Sequence, residues 1–189
     1  MRVAQSSEPG QPGTEPRRPS IAAAALFGFS LSVSFAALGQ AACGTPTPRD
    51  MEGPFYKAGA PLRGSLIEPG AKAERMVLTG RVLSRDCKPL ANASLDFWHA
   101  DERGEYDGGG YRYRGRVATD GEGRYRLETN LPALYPGRPR HIHVKVQAAP
   151  GARTLTTQLY FRDEQSGPLS LATERREGAL HAAFDFVLQ

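Results

Sequence analysis

Cysteine is nearly absent from this chain: Cys43 and Cys87 are the two among 189 residues. That excludes a four-cysteine metal site and a disulfide-dense scaffold, and leaves a single pairing to consider. An excess of either charge is missing too, since 24 Lys and Arg stand against 20 Asp and Glu for a net +4. The basic residues are scattered among acids, with no basic helix and no aromatic-basic alternation, so nucleic acid is not an expected partner. Outside residues 21–38, no apolar pattern keeps a 3.6-residue period over a useful length, which argues against a helical fold. No internal repeat is found. What remains is ordinary for a globular chain of one domain, or one domain behind a leader, with 40% hydrophobic and 23% charged residues.

The N-terminal region differs in character from the rest. Residues 1–20 are polar, rich in Pro, Gly and Ser, and carry Arg17-Arg18. From Pro19 to Pro48 there is no charge, and Ile21 to Leu38 is dominated by Ala, Ser, Phe and Leu. A basic start, an apolar stretch and the small-x-small run Gly39-Gln40-Ala41 predict an export signal over residues 1–41, with Arg17-Arg18 partly matching the twin-arginine type. The stretch is only weakly lipophilic, so the mature chain is expected to keep no stable membrane span and to work in the periplasm or outside the cell. In that setting Cys43 and Cys87 are expected to pair. Lipidation of Cys43 is the lesser option, because Gln40 is a poor residue three places before a lipoprotein cysteine.

Residues 42–75 are rich in Pro and Gly and read as an extended N-terminal arm. From residue 76 to 189 the pattern is of strands between turns. Met76 to Leu83 is apolar with β-branched residues, and Ser94 to His99 alternates, with Leu95, Phe97 and His99 on one face. Asp120-Gly121 turns the chain into a strand over Arg124 to Thr129. His141 to Gln147 alternates, with Ile142, Val144 and Val146 inward; Thr154 to Phe161 and Phe184 to Leu188 follow. The expected architecture is an all-β sandwich behind an extended arm and an export signal.

His141-Ile142-His143 is the first chemical signal, since residues two apart on a strand point the same way and can share a metal. Alone, such a pair is more often two surface histidines. Two tyrosines lie nearby in sequence, Tyr106 after Gly104-Glu105 and Tyr135 within Leu134-Tyr135-Pro136-Gly137. Taken singly, each reads as a loop or core aromatic with a satisfied hydroxyl. Taken together with the histidines they form an unusual donor set. Free phenol ionises near pH 10, so tyrosinate needs a strong adjacent cation, and hard ferric iron suits phenolate oxygen with imidazole.

At this point the sequence resembles the intradiol ring-cleaving dioxygenases, which include catechol and protocatechuate dioxygenases. The matching pieces are Glu52-Gly53-Pro54-Phe55-Tyr56, then Asp96 to Asp101 with Gly104-Glu105-Tyr106, then Thr119 to Tyr125. Tyr135 through Arg138 to His143 and Leu155 to Phe161 complete them, in family order over nearly all the mature chain. The resemblance implies that Tyr106, Tyr135, His141 and His143 hold Fe(3+). It implies a substrate of catechol type, cleaved with O2 to a muconate-type diacid, with no organic cofactor. Tyr135 is then the ligand that leaves and takes a substrate proton, Arg138 the cation that meets developing negative charge, and Gln158 a residue lining the site. Trp98 and His99 read as packing behind the loop to Tyr106, and His181 as a surface residue.

Two readings compete. Met76 to Val146 also looks like a transthyretin-like or carboxypeptidase-regulatory β-sandwich, an exported binding module without chemistry. That pattern accounts for the strands but not for the two tyrosines with the two histidines, Arg138 and Gln158. A family member that binds metal without oxygen chemistry is the other. The chain departs from the larger family enzymes in placing only Pro136-Gly137 between Tyr135 and Arg138, and in lacking a long helical segment. Neither ring-substituent preference nor oligomeric state therefore carries over.

Overall fold

A computed structural model describes residues 44–189. The expected export signal and Cys43 lie outside the described residues. Every regular element described is a strand, and no helix among these residues is long and apolar enough to cross a membrane.

The first sheet is built on β1 (Arg75–Ser84). It pairs antiparallel with β4 (Arg124–Asn130) along its length, and parallel with β9 (Ala179–Ala183) and then β10 (Phe186–Leu188). β8 (Thr173–Arg176) closes the edge against β9, and all four of its residues are exposed. The second sheet runs in the order β3 (Arg114–Ala118), β2 (Ser94–Trp98), β5 (His141–Gln147), β6 (Leu155–Phe161), β7 (Ser170–Leu171). Leu78, Val82, Leu127 and Leu180 from the first sheet share one core with Leu95, Phe97, Ile142, Val144 and Leu159 from the second. The two apolar faces therefore bury each other, which is the main driving force for an all-β chain.

Register decides what the opposite face of the second sheet carries. β5 pairs Trp98 with His143, His143 with Gln158, and His141 with Tyr160. Directly paired residues point to the same side, and side chains alternate along each strand. With Ile142, Val144 and Val146 in the core, His141, His143, Trp98, Gln158 and Tyr160 gather on the other face. Residues 44–74 hold no named strand, yet parts of this segment run over that face. Asp50 N–H donates to Thr156 O at 3.0 Å, and the Thr157 hydroxyl donates to Pro48 O at 2.8 Å. Under that cover β6 is buried at all seven positions.

Two local outcomes differ from the sequence expectation. The last strand begins at Phe186 rather than Phe184, because the Asp185 carboxylate turns inward and accepts from Arg81 N–H at 2.8 Å. β3, β7, β8 and β9 were not expected. β3 reads Arg-Gly-Arg-Val-Ala, and its burial comes from pairing with β2 and from the Arg63 N–H bond to Arg116 O at 2.9 Å.

Candidate metal centre

Both strand histidines present neutral rings. The His141 Nδ1–H faces Pro139 O at 2.7 Å, and donating there leaves Nε2 with its lone pair free. His143 stacks on Trp98, with ring centres 4.7 Å apart and planes 5° apart, and its Nδ1 is buried without a partner. Burial pushes the His143 pKa down to about 2, with the charges of His141 and Arg138 adding to the effect. Burial also lowers that of His141. Uncharged imidazole is the ligand form.

Tyr106 reaches the same place from the loop between β2 and β3. Two aspartate turns bracket it. Asp101 accepts from the backbone N–H of Arg103 and Glu105 at 2.8 and 3.0 Å; Asp107 accepts from Gly109, Gly110 and Arg112 at 3.0, 2.8 and 2.9 Å. The Tyr106 hydroxyl lies 3.0 Å from His141 Nε2 and 3.1 Å from His143 Nε2. Burial lifts its pKa well above the ordinary phenol value, so without a strong cation beside it Tyr106 stays protonated.

Tyr135 borders this trio without joining it. Its ring meets Tyr106 edge-on at 5.8 Å and Phe55 at 5.5 Å, it is half-buried, and no hydrogen bond links its hydroxyl to either histidine among the described residues. The two tyrosine loops touch through Gly104, whose φ is +82° and whose Cβ position lies 2.3 Å from Leu134 O. Ala133 N–H also donates to Asp101 O at 3.1 Å.

Arg138 sits after a tight turn in which its own N–H bonds Tyr135 O at 2.9 Å. Its Nη2 donates to Gln158 Oε1 at 2.9 Å and to the Tyr160 hydroxyl at 3.1 Å. The sequence therefore named two members of this group and missed Tyr160. The signal was Tyr160 lying two places beyond Gln158 on a strand. Residues 50–56 were also missed as site residues. Phe55 stacks on Tyr106 at 4.4 Å, a Gly53 Cβ would meet His143 Cε1 at 3.4 Å, and the Tyr56 hydroxyl donates to Asp96 at 3.1 Å. Lys145 pairs with Glu52 at 2.5 Å. Trp98, read as packing, packs on His143 itself. His99 is fully enclosed between Ala100 O and the Thr129 hydroxyl, each at 2.7 Å, and takes no part in the trio. His181 is half-buried on β9 in the other sheet.

The donor chemistry suits a hard cation. Among the described residues no three His, Cys, Asp or Glu side chains cluster as a metal site; the third donor facing His141 and His143 is the Tyr106 oxygen. One oxygen and two nitrogens separated by 3.0 and 3.1 Å match neighbouring donors at right angles on bonds of about 2.1 Å.

Comparison with known proteins gives the family. A family model described as "Dioxygenase" matches residues 51–189. Catechol 1,2-dioxygenase 2 of Acinetobacter lwoffii is 36% identical over 139 residues, covering 60% of this chain and 50% of that protein. The protocatechuate 3,4-dioxygenase beta chain of Burkholderia cepacia is 32% identical over 184 residues, covering 75% and 78%. Among solved structures, the dioxygenase domain of a dioxygenase carbohydrate-binding protein fusion from the cellulolytic bacterium Streptomyces sp. SirexAA-E superposes with a TM-score of 0.73. It is 42% identical and covers 77% of this chain and 99% of that domain. The chain spans about half the length of the catechol dioxygenases it matches first. A family match running from the segment over the histidine-bearing face to the C-terminus leaves one assignment: the chain belongs to the intradiol ring-cleaving dioxygenase family.

Proposed function

We propose that this chain is a non-haem Fe(III) dioxygenase that opens catechol-type rings between the two hydroxyls, using O2 and yielding muconate-type diacids. The observation that carries the reading is the convergence of the Tyr106 oxygen with both Nε2 atoms of His141 and His143, 3.0 and 3.1 Å away. Tyr135 and Arg138 stand beside that trio. Tyr106, Tyr135, His141 and His143 would hold the ion. Bound ferric iron supplies the Lewis acidity that makes a vicinal diol and a phenol give up protons near neutral pH.

The remaining work falls to the chain. Tyr106 is packed between Phe55 and the histidines, so it stays where it is. Tyr135 is half-exposed and has ring contacts alone, so its oxygen is free to move away and accept a diol proton. Arg138 keeps a fixed positive charge beside the site, where it stabilises negative charge growing on the diol as the ring is attacked. Gln158 fixes one guanidinium nitrogen through its amide oxygen. Residues 50–56 cover the face of the sheet and keep water from its histidines. The working unit we propose thus includes those residues with 76–189.

We place the reaction outside the cytoplasm, on the strength of the leader-like residues 1–41 and of the disulfide-bonded state of Cys87. The binding-module reading is not favoured, because a module without chemistry has no use for a tyrosine oxygen held 3.0 and 3.1 Å from two buried imidazole nitrogens. The test is purification after iron-supplemented expression. The expected protein is red to brown from tyrosinate-to-iron charge transfer, holds one iron per chain, and converts catechol to a product absorbing in the ultraviolet. A colourless zinc protein with no turnover of any vicinal diol refutes the proposal.

A further inference from the structure

Arg138 is held by an arrangement that the sequence did not foreshadow. Its Nη2 donates to two acceptors, and each acceptor is itself fixed by the segment before β1. The Tyr160 hydroxyl, having accepted from Arg138 at 3.1 Å, donates its own proton to Asp50 Oδ2 at 2.8 Å. Gln158, having accepted through Oε1, donates its amide Nε2–H to Met51 O at 2.6 Å. Tyr160 Oη is also 3.2 Å from Gln158 Oε1, so a single compact network joins all five residues. Tyr160 is 5% exposed.

The charge layout matters as much as the geometry. Among the described residues Asp50 makes no ion pair with Arg138, because the phenol stands between them. A carboxylate placed directly on the guanidinium would consume its donors and neutralise the charge. A phenol between them passes on orientation and leaves the cation unpaired. Among the described residues the other nitrogen, Nη1, meets only Met51 Sδ at 3.0 Å, a weak acceptor on a residue 55% exposed. One side of the guanidinium is therefore clamped and the other is open to an anion.

We infer that Tyr160 and Asp50 are positioning residues for Arg138: together they fix its Nη2 so that Nη1 faces negative charge developing on the substrate. The inference rests on the ring-cleavage role proposed for Arg138. It adds two residues outside the Tyr106, His141 and His143 trio, from parts of the chain 110 positions apart.

Two readouts test it. The first uses iron-free protein and side-chain 15N relaxation of the Arg138 Nε–H. Tyr160→Phe and Asp50→Ala should each raise its picosecond mobility, taking the order parameter below about 0.6, while the backbone keeps its rigid values. The second uses the iron-loaded enzyme. Tyr160→Phe should lower kcat roughly tenfold with a smaller change in KM, and leave iron content and the resting visible band unaltered. In an Arg138→Ala background, Tyr160→Phe should add less than about twofold, since the group it positions is gone. Wild-type mobility of Arg138 in both single variants, or a full tenfold loss from Tyr160→Phe without Arg138, overturns the inference. If the wild-type protein turns over no diol at all while the relaxation result holds, the dioxygenase reading fails and the positioning of Arg138 stands.

Discussion

Replacing Gly104 with alanine should destabilise the protein far more than the same change at Gly137, and the structure says by how much. Both glycines have left-handed backbones, with φ of +82° and +76°. A Cβ in that region costs about 1 to 2 kcal/mol. At Gly137 nothing lies within 4 Å of the added carbon, so that strain is the whole effect. At Gly104 the carbon would sit 2.3 Å from Leu134 O and 3.2 Å from Leu134 C. Ordinary carbon–oxygen contact begins near 3.3 Å, so two backbone loops must separate by about 1 Å. Forcing apart well-packed groups adds about 1 to 3 kcal/mol, for a total near 3 kcal/mol. In a chain of this size each kcal/mol lowers Tm by about 2 to 4 °C. Gly104→Ala should therefore melt about 6 to 12 °C below wild type, and Gly137→Ala about 2 to 8 °C below, in iron-free protein followed by circular dichroism. The displaced loop carries Tyr135, so Gly104→Ala should also weaken the visible absorption of the iron form. Equal melting of the two variants would show that the contact between the tyrosine loops is not tight, and the reasoning would fall.

Tyr135→Phe should keep some iron, shift the colour and lose most turnover, since its ring contacts survive and its hydroxyl does not; a variant with normal kcat refutes the proposed proton-accepting role. Burial holds His99 at a pKa of about 4, below its value of 6.5 when free, so the unfolded chain binds the extra proton between those pH values. The stability it contributes is complete above pH 6.5 and is lost as pH falls towards 4, by about 3 kcal/mol for His99 alone. Urea denaturation of iron-free wild type and His99→Asn at pH 7.5 and 4.5 should show a shallower fall in the variant, and identical slopes would contradict this. Cys87→Ser should destabilise by roughly 3 to 4 kcal/mol in the chain-entropy account. An unchanged urea midpoint, or a diacylglycerol mass on Cys43, rules out the Cys43–Cys87 link. Catechol and several substituted catechols should be turned over with comparable efficiency, because Pro136 and Gly137 are exposed and put little wall over the ring. Strong discrimination among them in a kcat/KM panel would refute the open pocket.

The sequence alone determined the strand character of the chain and the side on which the histidines lie. Alternation from His141 to Gln147 commits Ile142, Val144 and Val146 to one face, so His141 and His143 must take the other whatever their partners. The same period-two logic located β2 and β4, because apolar residues at every second place leave a strand no better way to bury them. It could not locate β3 or β8. Their residues are polar, and what makes them strands is a neighbour's open edge, which exists only once the sheet has assembled. The candidate ligands were legible by type and order, but nothing local brings Tyr106 within 3.1 Å of both histidines. That distance depends on two aspartate turns, on the close approach at Gly104, and on Phe55 pressing from a segment some fifty residues earlier. The hold on Arg138 was invisible for the same reason. Asp50 and Met51 read as ordinary residues of a proline- and glycine-rich arm until β5 and β6 pair and the arm crosses them. Only then does an acidic side chain come within 2.8 Å of Tyr160. Side-chain periodicity is a local property and survives in the bare sequence. The meeting of residues far apart in the chain depends on sheet register and loop closure, which tertiary structure alone decides.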